Sequence, residues 1–212
     1  VDADSFDSLC LHVLVEDCRT AQLVCCCRML PVASGAQVDR SYSAQFYDLS
    51  ALHVLAGPMV EMGRFCVAPG LRDPDVLRSA WGAVTAYVDQ QGIQMLFGCT
   101  SFPGLDAAAY RDTFALLQAR HLAPPHLRPG VKAAEVHAFA AMPGGPDVRH
   151  ALRALPSLLR TYLIMGGWVS DHAVVDRQMN TLHVFTGLEI AAIPPARQRL
   201  LRAIADSGTS IP

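Results

Sequence analysis

Charge is scarce in this chain. Asp, Glu, Lys and Arg together make up 17% of the 212 residues, and the net charge is only −2. Proteins that bind nucleic acid in a general way carry clustered positive charge, so this class is not supported. Apolar residues reach 51% and the mean hydropathy is +0.26, which is enough material for a sizeable core and argues against disorder.

Several sequence features that mark particular classes of protein are also missing. No run of about 18 apolar residues is present, which argues against a membrane-spanning helix, and residues 1–5 do not resemble a signal peptide. No Gly-x-Ser-x-Gly elbow occurs, so a serine hydrolase is disfavoured. The 7 cysteines form no Cys-x-x-Cys pair. We interpret them as small buried residues in a reducing compartment, with a redox or metal role as the alternative.

The residues that are present predict an α/β fold in one domain over residues 1–212. Strands are expected over 9–15, 23–30, 58–67, 93–99 and 181–190. Helices are expected over 75–91, 106–119, 147–165 with a bend at Pro156, and 194–205. The first two strands should pair antiparallel. The strand–helix–strand unit from 58 to 99 predicts two parallel neighbours joined by a right-handed crossover.

One predicted strand contains two charges. Glu61 and Arg64 lie within the apolar run 59–67, where a charge is costly unless it is paired or hydrogen-bonded. Because they are three residues apart, they point to opposite faces of a regular strand. Either they have different partners, or a bulge at Gly63 redirects one of them. This pattern is typical of a strand in an active site.

Four blocks of sequence, in order along the chain, resemble the ornithine N-acyltransferases. The blocks are residues 6–15 (FDSLCLHVLV), 61–67 (EMGRFCV), 96–104 (LFGCTSFPG) and 176–181 (DRQMNT). These ornithine-lipid synthases use acyl carrier protein and belong to the GNAT superfamily, and they are related in fold to the acyl-homoserine-lactone synthases. The resemblance implies a GNAT-like acyltransferase fold with a mixed, twisted central sheet flanked by helices. It also implies a bacterial, cytoplasmic enzyme of lipid biosynthesis.

The chain departs from the family pattern in two places. Members have a leading segment of several tens of residues, whereas this chain starts just before the first block, so part of the family domain is expected to be absent. The loop 69–74 lacks the glycine-rich pyrophosphate cradle of coenzyme-A-dependent relatives. This favours a carrier-protein donor, whose single phosphate needs fewer backbone donors.

The implied reaction is the formation of an amide. The α-amine of ornithine attacks the thioester of a (3-hydroxy)acyl group on the phosphopantetheine arm of acyl carrier protein, which is a co-substrate; no bound cofactor and no metal are expected. Glu61 is the implied base, because partial burial would raise its pKa toward the working pH. Arg64 is expected to bind the substrate carboxylate or the carrier phosphate. The candidates for oxyanion stabilisation and for binding the carrier arm are Phe65, Cys66, Val67 and Arg72.

A second group of residues is assigned to substrate binding. Its members are His12, Ser101, Asp171, Asp176 and Arg177. Asp171 or Asp176 would hold a cationic side chain of the acceptor, with capping or ion pairing as the alternative, and His12 has the alternative of an ordinary core histidine. Structural alternatives also exist for Glu61, as part of a buried ion pair, and for Arg64, as the partner of Asp176.

The residues also allow other chemistry and other functions. Tyr110 is a candidate proton donor to the leaving thiolate, and Cys66 or Cys99 would carry the acyl group in a covalent route. The acceptor would be glutamine, glycine or lysine in one alternative, and homoserine-lactone-type synthesis is another. A non-catalytic acyl- or partner-binding protein is a third. The arginines of the helices over 147–165 and 194–205 suggest docking of an acidic carrier or peripheral contact with the inner membrane, with solvated helix faces as the alternative.

Overall fold

The computed structural model of the chain describes residues 3–71, 73–140 and 143–208. Within these ranges it contains an eight-stranded sheet and a separate two-stranded sheet. The strands are β1 (Leu11–Asp17), β2 (Gln22–Val32), β3 (Tyr47–Asp48), β4 (Met59–Val67), β5 (Met95–Pro103), β6 (Gly130–Val131), β7 (Val136–Ala138), β8 (Trp168–Val169), β9 (His172–Asp176) and β10 (Thr181–Glu189).

The large sheet is mixed. Its strand order is β1-β2-β4-β5-β10-β9-β7, with β8 paired to β10, while β3 and β6 form the small sheet. The pairing is antiparallel except between β4 and β5, which are parallel. The predicted antiparallel first pair and the predicted parallel pair around the first helix are therefore confirmed, and so is the α/β class with a mixed central sheet.

Five helices accompany the sheet in the described part of the chain. They are α1 (Pro74–Gln91), α2 (Arg111–Arg120), α3 (Val148–Ala154), α4 (Ser157–Ile164) and α5 (Pro195–Gly208). The first helix begins and ends as predicted: the Asp73 side chain accepts the N–H of Asp75, and Gly92 ends the helix in the left-handed conformation. None of the helices described combines the length and the apolar character that crossing a bilayer requires.

The two faces of the sheet have different coverings. On β5, Leu96 packs with residues of α1 and α4, and Phe102 packs with residues of α2 and α4. The alternate residues, such as Phe97, pack on the opposite face against the segment between β2 and β4, which consists of 3-10 turns and the short strand β3. For this segment, over residues 34–55, the sequence predicts a loop as far as Tyr42 and no definite element from Ser43 to Leu55. The segment is important for the site because Tyr42 lines the cleft and because Tyr42 and Ser43 donate hydrogen bonds to Glu61.

Several predicted boundaries are wrong for local reasons. Pro156 ends one helix and begins another rather than bending a single helix, because the residue before a proline is forced into extended backbone. The helix predicted from Asp106 begins as a 3-10 turn, Ala107–Tyr110, before α2. The strand predicted to end at Cys99 continues to Pro103, because all nine residues of β5 pair with β10.

The parallel pair β4–β5 separates after only three residue pairs. The last pair joins Glu61 to Phe97. At the next residue, Gly98, a Cβ atom would lie 2.2 Å from the backbone oxygen of Met62, and the backbone of Gly98 has φ of 156°. Only glycine allows the two backbones to approach this closely at the point where the strands part.

We therefore expect Gly98→Ala to destabilise the fold by roughly 2 kcal/mol or more, because the added methyl group must push two backbones apart. Thermal and urea unfolding measure the change. Gly63→Ala is the matched control, because its Cβ would meet only the Arg28 side chain, at 3.8 Å. Equal stability losses in the two variants would contradict this account of the strand separation.

Candidate active site

A cleft opens where β4 and β5 diverge. Its volume is about 380 Å³. Its walls come from both strands, from the N-terminal segment before β1, from the ends of β9 and β10, and from the start of α4. Side chains around it include Phe6, Cys10, Arg28, Tyr42, Glu61, Arg64, Phe65, Cys66, Cys99, Ser101, Ser157, Tyr162, Asp176 and His183. Both apolar surface and several polar groups thus meet in one cavity, as in most small-molecule sites.

Glu61 is buried at the point of divergence. Its carboxylate accepts the backbone N–H groups of Tyr42 and Ser43, both at 2.7 Å, and the Ser43 hydroxyl at 2.6 Å. Burial raises the pKa of Glu61, and these hydrogen bonds together with the charge of Arg28 oppose the rise. The ion pair that was the structural alternative for Glu61 is absent among the described residues. The carboxylate instead holds the 3-10 segment against the sheet.

The hydrogen bonds leave capacity on the Glu61 carboxylate. A carboxylate has about four lone-pair positions, and Oε1 uses two of them while Oε2 uses one. Because the Ser43 hydroxyl donates its single proton to Glu61, the contact of 3.4 Å between Ser43 Oγ and Cys99 Sγ places the thiol as donor. Cys99, Ser43 and Glu61 therefore form a short chain of hydrogen bonds, with one acceptor position remaining on Oε2.

The predicted bulge exists, but it lies one residue beyond Gly63. Residues Cys26 and Arg28 of β2 pair with Cys66 and Gly63, so Arg64 and Phe65 lie opposite one residue of β2. Arg64 has φ of 50°, the left-handed conformation that a bulge can impose. The bulge increases the local bend of β4 on the side where β5 has already separated.

Arg64 contacts the N-terminal segment, and the ion pair with Asp176 that was its structural alternative is not found among the described residues. Nη2 of Arg64 lies 3.3 Å from an oxygen of Asp4, which also binds Arg28 at 2.6 Å. Arg28 is 5% exposed and binds Asp7 as well, at 2.7 Å. The guanidinium groups of Arg28 and Arg64 thus hold the segment before β1 over one wall of the cleft.

The opposite end of the cleft is formed by β5, β9 and β10. Asp176 and His183 are both buried there, and Ser101 lies opposite His183 in the β5–β10 pairing. The hydroxyl of Tyr47, from the small sheet, is 2.8 Å from the backbone oxygen of His183 and 3.1 Å from its Nδ1. Burial lowers the pKa of His183 to about 4, despite the nearby charge of Asp176.

The structure brings together six of the eleven predicted site residues. Those lining the cleft are Glu61, Arg64, Phe65, Cys66, Ser101 and Asp176. Four others lie outside its lining. His12 is exposed and contacts the backbone oxygen of Asp7, and Val67 pairs with Cys25 at the end of β4. Asp171 contacts His172 and Arg128, and Arg177 binds Glu135 on the surface. Arg72 lies outside the described residues.

Other residues of the site were missed by the sequence analysis. Tyr42, Ser43 and Tyr47 sit in the segment for which the sequence predicts no helix or strand, so no periodicity marked them. Arg28 and His183 were treated as ordinary strand residues. The polarity of Arg28 and His183 could have marked them as site residues, because each interrupts an apolar strand as Glu61 does. Tyr110, by contrast, donates its hydroxyl to the Pro103 carbonyl and does not line the cleft.

Comparison with known proteins defines the class first. Residues 1–82 match the family model described as "Acetyltransferase (GNAT) domain". These residues include β1, β2, the 3-10 segment and all of β4. With its mixed sheet and divergent strands, the protein is an acyltransferase of the GNAT class.

Curated relatives narrow the class to a family. The chain is 34% identical over 198 residues to "L-ornithine N(alpha)-acyltransferase" of Rhodobacter capsulatus, covering 91% of this chain and 76% of that protein. It is 32% identical to the protein of the same name from Brucella abortus, covering 91% and 71%. The chain belongs to the L-ornithine N(alpha)-acyltransferase family. The predicted family resemblance is thereby confirmed.

Among solved structures, the chain is similar to "a CoA-dependent acyl-homoserine lactone synthase, MesI". The TM-score is 0.48 at 11% identity, with coverage of 96% of this chain and 73% of that chain. A second such synthase, BjaI, gives a TM-score of 0.46 at 12% identity, with coverage of 98% and 69%.

Cys99 provides a test of the covalent route. Burial raises the pKa of its thiol well above the ordinary value, and the charge of Glu61 adds to the rise. A thiol in this state is a poor nucleophile at neutral pH. We expect Cys99→Ala to keep the rate of acyl transfer at the same order of magnitude, measured with purified protein. A loss of a hundredfold or more in a folded variant, with an acyl-thioester adduct on the unmodified chain, would contradict this expectation.

Proposed function

We propose that this chain transfers a (3-hydroxy)acyl group from the phosphopantetheine thioester of acyl carrier protein to the α-amine of L-ornithine. The observation that carries the proposal is the buried carboxylate of Glu61 at the apex of a cleft between two diverging parallel strands. Two curated relatives of the chain are named for acylation of the same amine, the α-amine of L-ornithine. The product is an amide of ornithine with a free side-chain amine.

The acceptor amine must lose a proton before it attacks. An ammonium has no lone pair, so a base within hydrogen-bond reach has to take the proton directly or through one water. Glu61 offers one unused acceptor position on Oε2 and a pKa raised by burial, both of which suit a base. Nitrogen then bonds to the thioester carbon, the tetrahedral oxyanion collapses, and the carbon–sulfur bond breaks. The thiol of the carrier arm leaves with a proton.

The oxyanion requires hydrogen-bond donors that are already in position. The pairing between β4 and β5 stops at Glu61, while β4 continues to Val67 and lines the cleft as far as Cys66. Backbone N–H groups of β4 in the region of Phe65 to Val67 are the proposed donors. This part of β4 contains the bulge at Arg64 and has no pairing with β5, which leaves room for the acyl thioester.

A surface next to the cleft fits an acidic carrier protein. Ser157 and Leu158, at the start of α4, line the cleft. The preceding α3 carries Arg149 and Arg153, which are exposed around a shallow depression that Arg160 also lines. A positive surface at the entrance would guide an acidic carrier and place its arm in the cleft.

The direct test of the function is an assay of the purified chain with a (3-hydroxy)acyl carrier protein and single amino acids. Mass spectrometry of the products should show acyl-ornithine with the acyl group on the α-nitrogen. Acyl-glutamine, acyl-glycine or acyl-lysine would identify a different acceptor, and a homoserine lactone would identify a synthase. Binding of the acyl donor without any product would leave only an acyl-binding role.

Replacing Glu61 by glutamine should lower kcat/KM by about a hundredfold or more, because the base is lost. The amide nitrogen would also face the backbone N–H of Tyr42, so unfolding must be followed in parallel. Glu135→Gln removes a carboxylate that is exposed and paired with Arg177, and serves as the control. A folded Glu61→Gln protein with full activity would show that Glu61 only holds the 3-10 segment.

The pH dependence of the unmodified chain tests the same role without a mutation. Burial raises the pKa of Glu61 above the ordinary 4.5. The base form exists above this pKa, so kcat/KM should fall as the pH drops through it, at a higher pH than an exposed glutamate would give. This acidic limb should be absent from the residual activity of Glu61→Gln. An identical limb in both proteins would assign it to another group.

The docking surface is tested by reversing its charge. The double variant Arg149→Glu/Arg153→Glu should raise KM for acyl carrier protein by roughly tenfold, since like charges then meet at the entrance. KM for a free acyl-pantetheine thioester should stay unchanged. The control, Arg197→Glu/Arg199→Glu on α5, changes the same charge on a helix that contributes no described residue to the cleft lining. Equal effects of both double variants would contradict the assignment of α3.

A further inference from the structure

One end of the cleft buries two polar side chains that the chain itself does not fully satisfy. His183 is 2% exposed and Asp176 is 8% exposed, and both line the cleft. They lie on neighbouring strands: Asp176 pairs with Thr181, and His183 follows two residues later on the same face of β10. Glu61 lies at the other side of the cavity, where β4 and β5 part.

The tautomer of His183 follows from its contact with Tyr47. The Tyr47 hydroxyl has a single proton, and the backbone oxygen of His183 at 2.8 Å can only accept it. The Tyr47 oxygen therefore accepts the Nδ1–H of His183, at 3.1 Å. The other ring nitrogen, Nε2, keeps its lone pair and points away from Tyr47. It is buried and has no hydrogen-bond partner among the described residues.

Asp176 is a buried carboxylate without a counter-ion in the part of the chain described. One of its oxygens accepts the backbone N–H of Met179, at 3.0 Å. The neighbouring Arg177 is directed elsewhere, to Glu135. A buried negative charge with no cationic partner is unfavourable, and so is a buried acceptor with no donor. Both conditions would be relieved by the same kind of ligand group.

The chemistry of the two acceptors identifies that group. A hydroxyl or an amide N–H would satisfy the lone pair of His183 but would leave the charge of Asp176 uncompensated. An ammonium has three donors, no acceptor and a positive charge, so it satisfies both side chains. Its position also fits the rest of the cleft. Ser101 lies opposite His183 on β5. Cys99 lies two residues before Ser101, about 7 Å along β5. Cys99 contacts Ser43, which donates a hydrogen bond to Glu61.

We propose that His183 and Asp176 bind the side-chain ammonium of the acceptor amino acid and thereby direct acylation to its α-amine. This inference rests on the proposed function. Ornithine has two amines, and a site that holds neither in place would acylate both. Fixing the side-chain amine as an ammonium between His183 and Asp176 removes its lone pair from reaction and leaves the α-amine beside Glu61.

Two substitutions of His183 separate the two ring nitrogens. His183→Asn keeps an amide donor near Tyr47 and removes the acceptor at the position of Nε2. His183→Gln places an amide oxygen near the position of Nε2 and is the conservative variant. The matched control is His172→Asn, because His172 is also buried with an unpartnered Nε2 but does not line the cleft. Unfolding curves establish that each variant is folded.

The readouts are the site of acylation and the preference for ornithine over norvaline, which lacks the side-chain amine. His183→Asn should lower the ratio of kcat/KM for ornithine to that for norvaline by about tenfold or more, and should yield acylation on the side-chain nitrogen. His183→Gln should recover part of the ratio, and His172→Asn should leave ratio and product unchanged. A folded His183→Asn protein with an unaltered ratio and only α-acylation overturns the subsite.

Calorimetric titration of the unmodified chain with each amino acid gives a second readout that needs no turnover. Ornithine should bind at least tenfold more tightly than norvaline. Equal affinities would overturn the ammonium subsite while leaving acyl transfer intact. Tighter binding of ornithine without transfer from any acyl donor would support the subsite and would overturn the proposed function instead.

Discussion

The early end of the pairing between β4 and β5 is the constraint on which the site depends. Two parallel strands that stayed paired would leave no cavity between them. Here the ladder stops at Glu61 and Phe97, and the backbone of Gly98 passes so close to the Met62 carbonyl that no side chain fits. Three residues after Glu61, the bulge at Arg64 makes β4 irregular along the unpaired part of the strand. The cleft is therefore a consequence of backbone geometry, and the side chains line a cavity that the backbone creates.

Buried charge in this site is stabilised mainly by hydrogen bonds from the chain's own backbone and side chains. Glu61 is held by two N–H groups and a hydroxyl, which makes it both the anchor of the 3-10 segment and a carboxylate with a raised pKa. Arg28 and Arg64 share Asp4 of the N-terminal segment. Asp176 differs, because its described contacts compensate only part of its charge. Because the Glu61 carboxylate is held by the chain's own hydrogen bonds and the Asp176 carboxylate is only partly satisfied, we give Glu61 the role of base and Asp176 that of ammonium ligand.

Sequence reasoning captured the features that local chemistry determines. The strand around Glu61 was marked by charge in an apolar run, and the first helix by Asp73, Pro74 and Gly92, each of which acts on its own neighbours. It missed what only tertiary contact decides. Tyr42, Ser43 and Tyr47 lie in a segment without regular periodicity, and their positions are fixed by hydrogen bonds to distant residues.

Catalysis by Glu61 requires that the acyl thioester lies in the gap between β4 and β5 with its carbonyl beside this carboxylate. A crystal structure with a non-reactive thioether or ketone analogue of the acyl-phosphopantetheine arm tests it most directly. We expect the carbonyl oxygen to lie within hydrogen-bond distance of the β4 backbone between Phe65 and Val67, with room for an amine between the carbonyl carbon and Glu61. An arm bound outside this gap, or a carbonyl remote from Glu61, would contradict it.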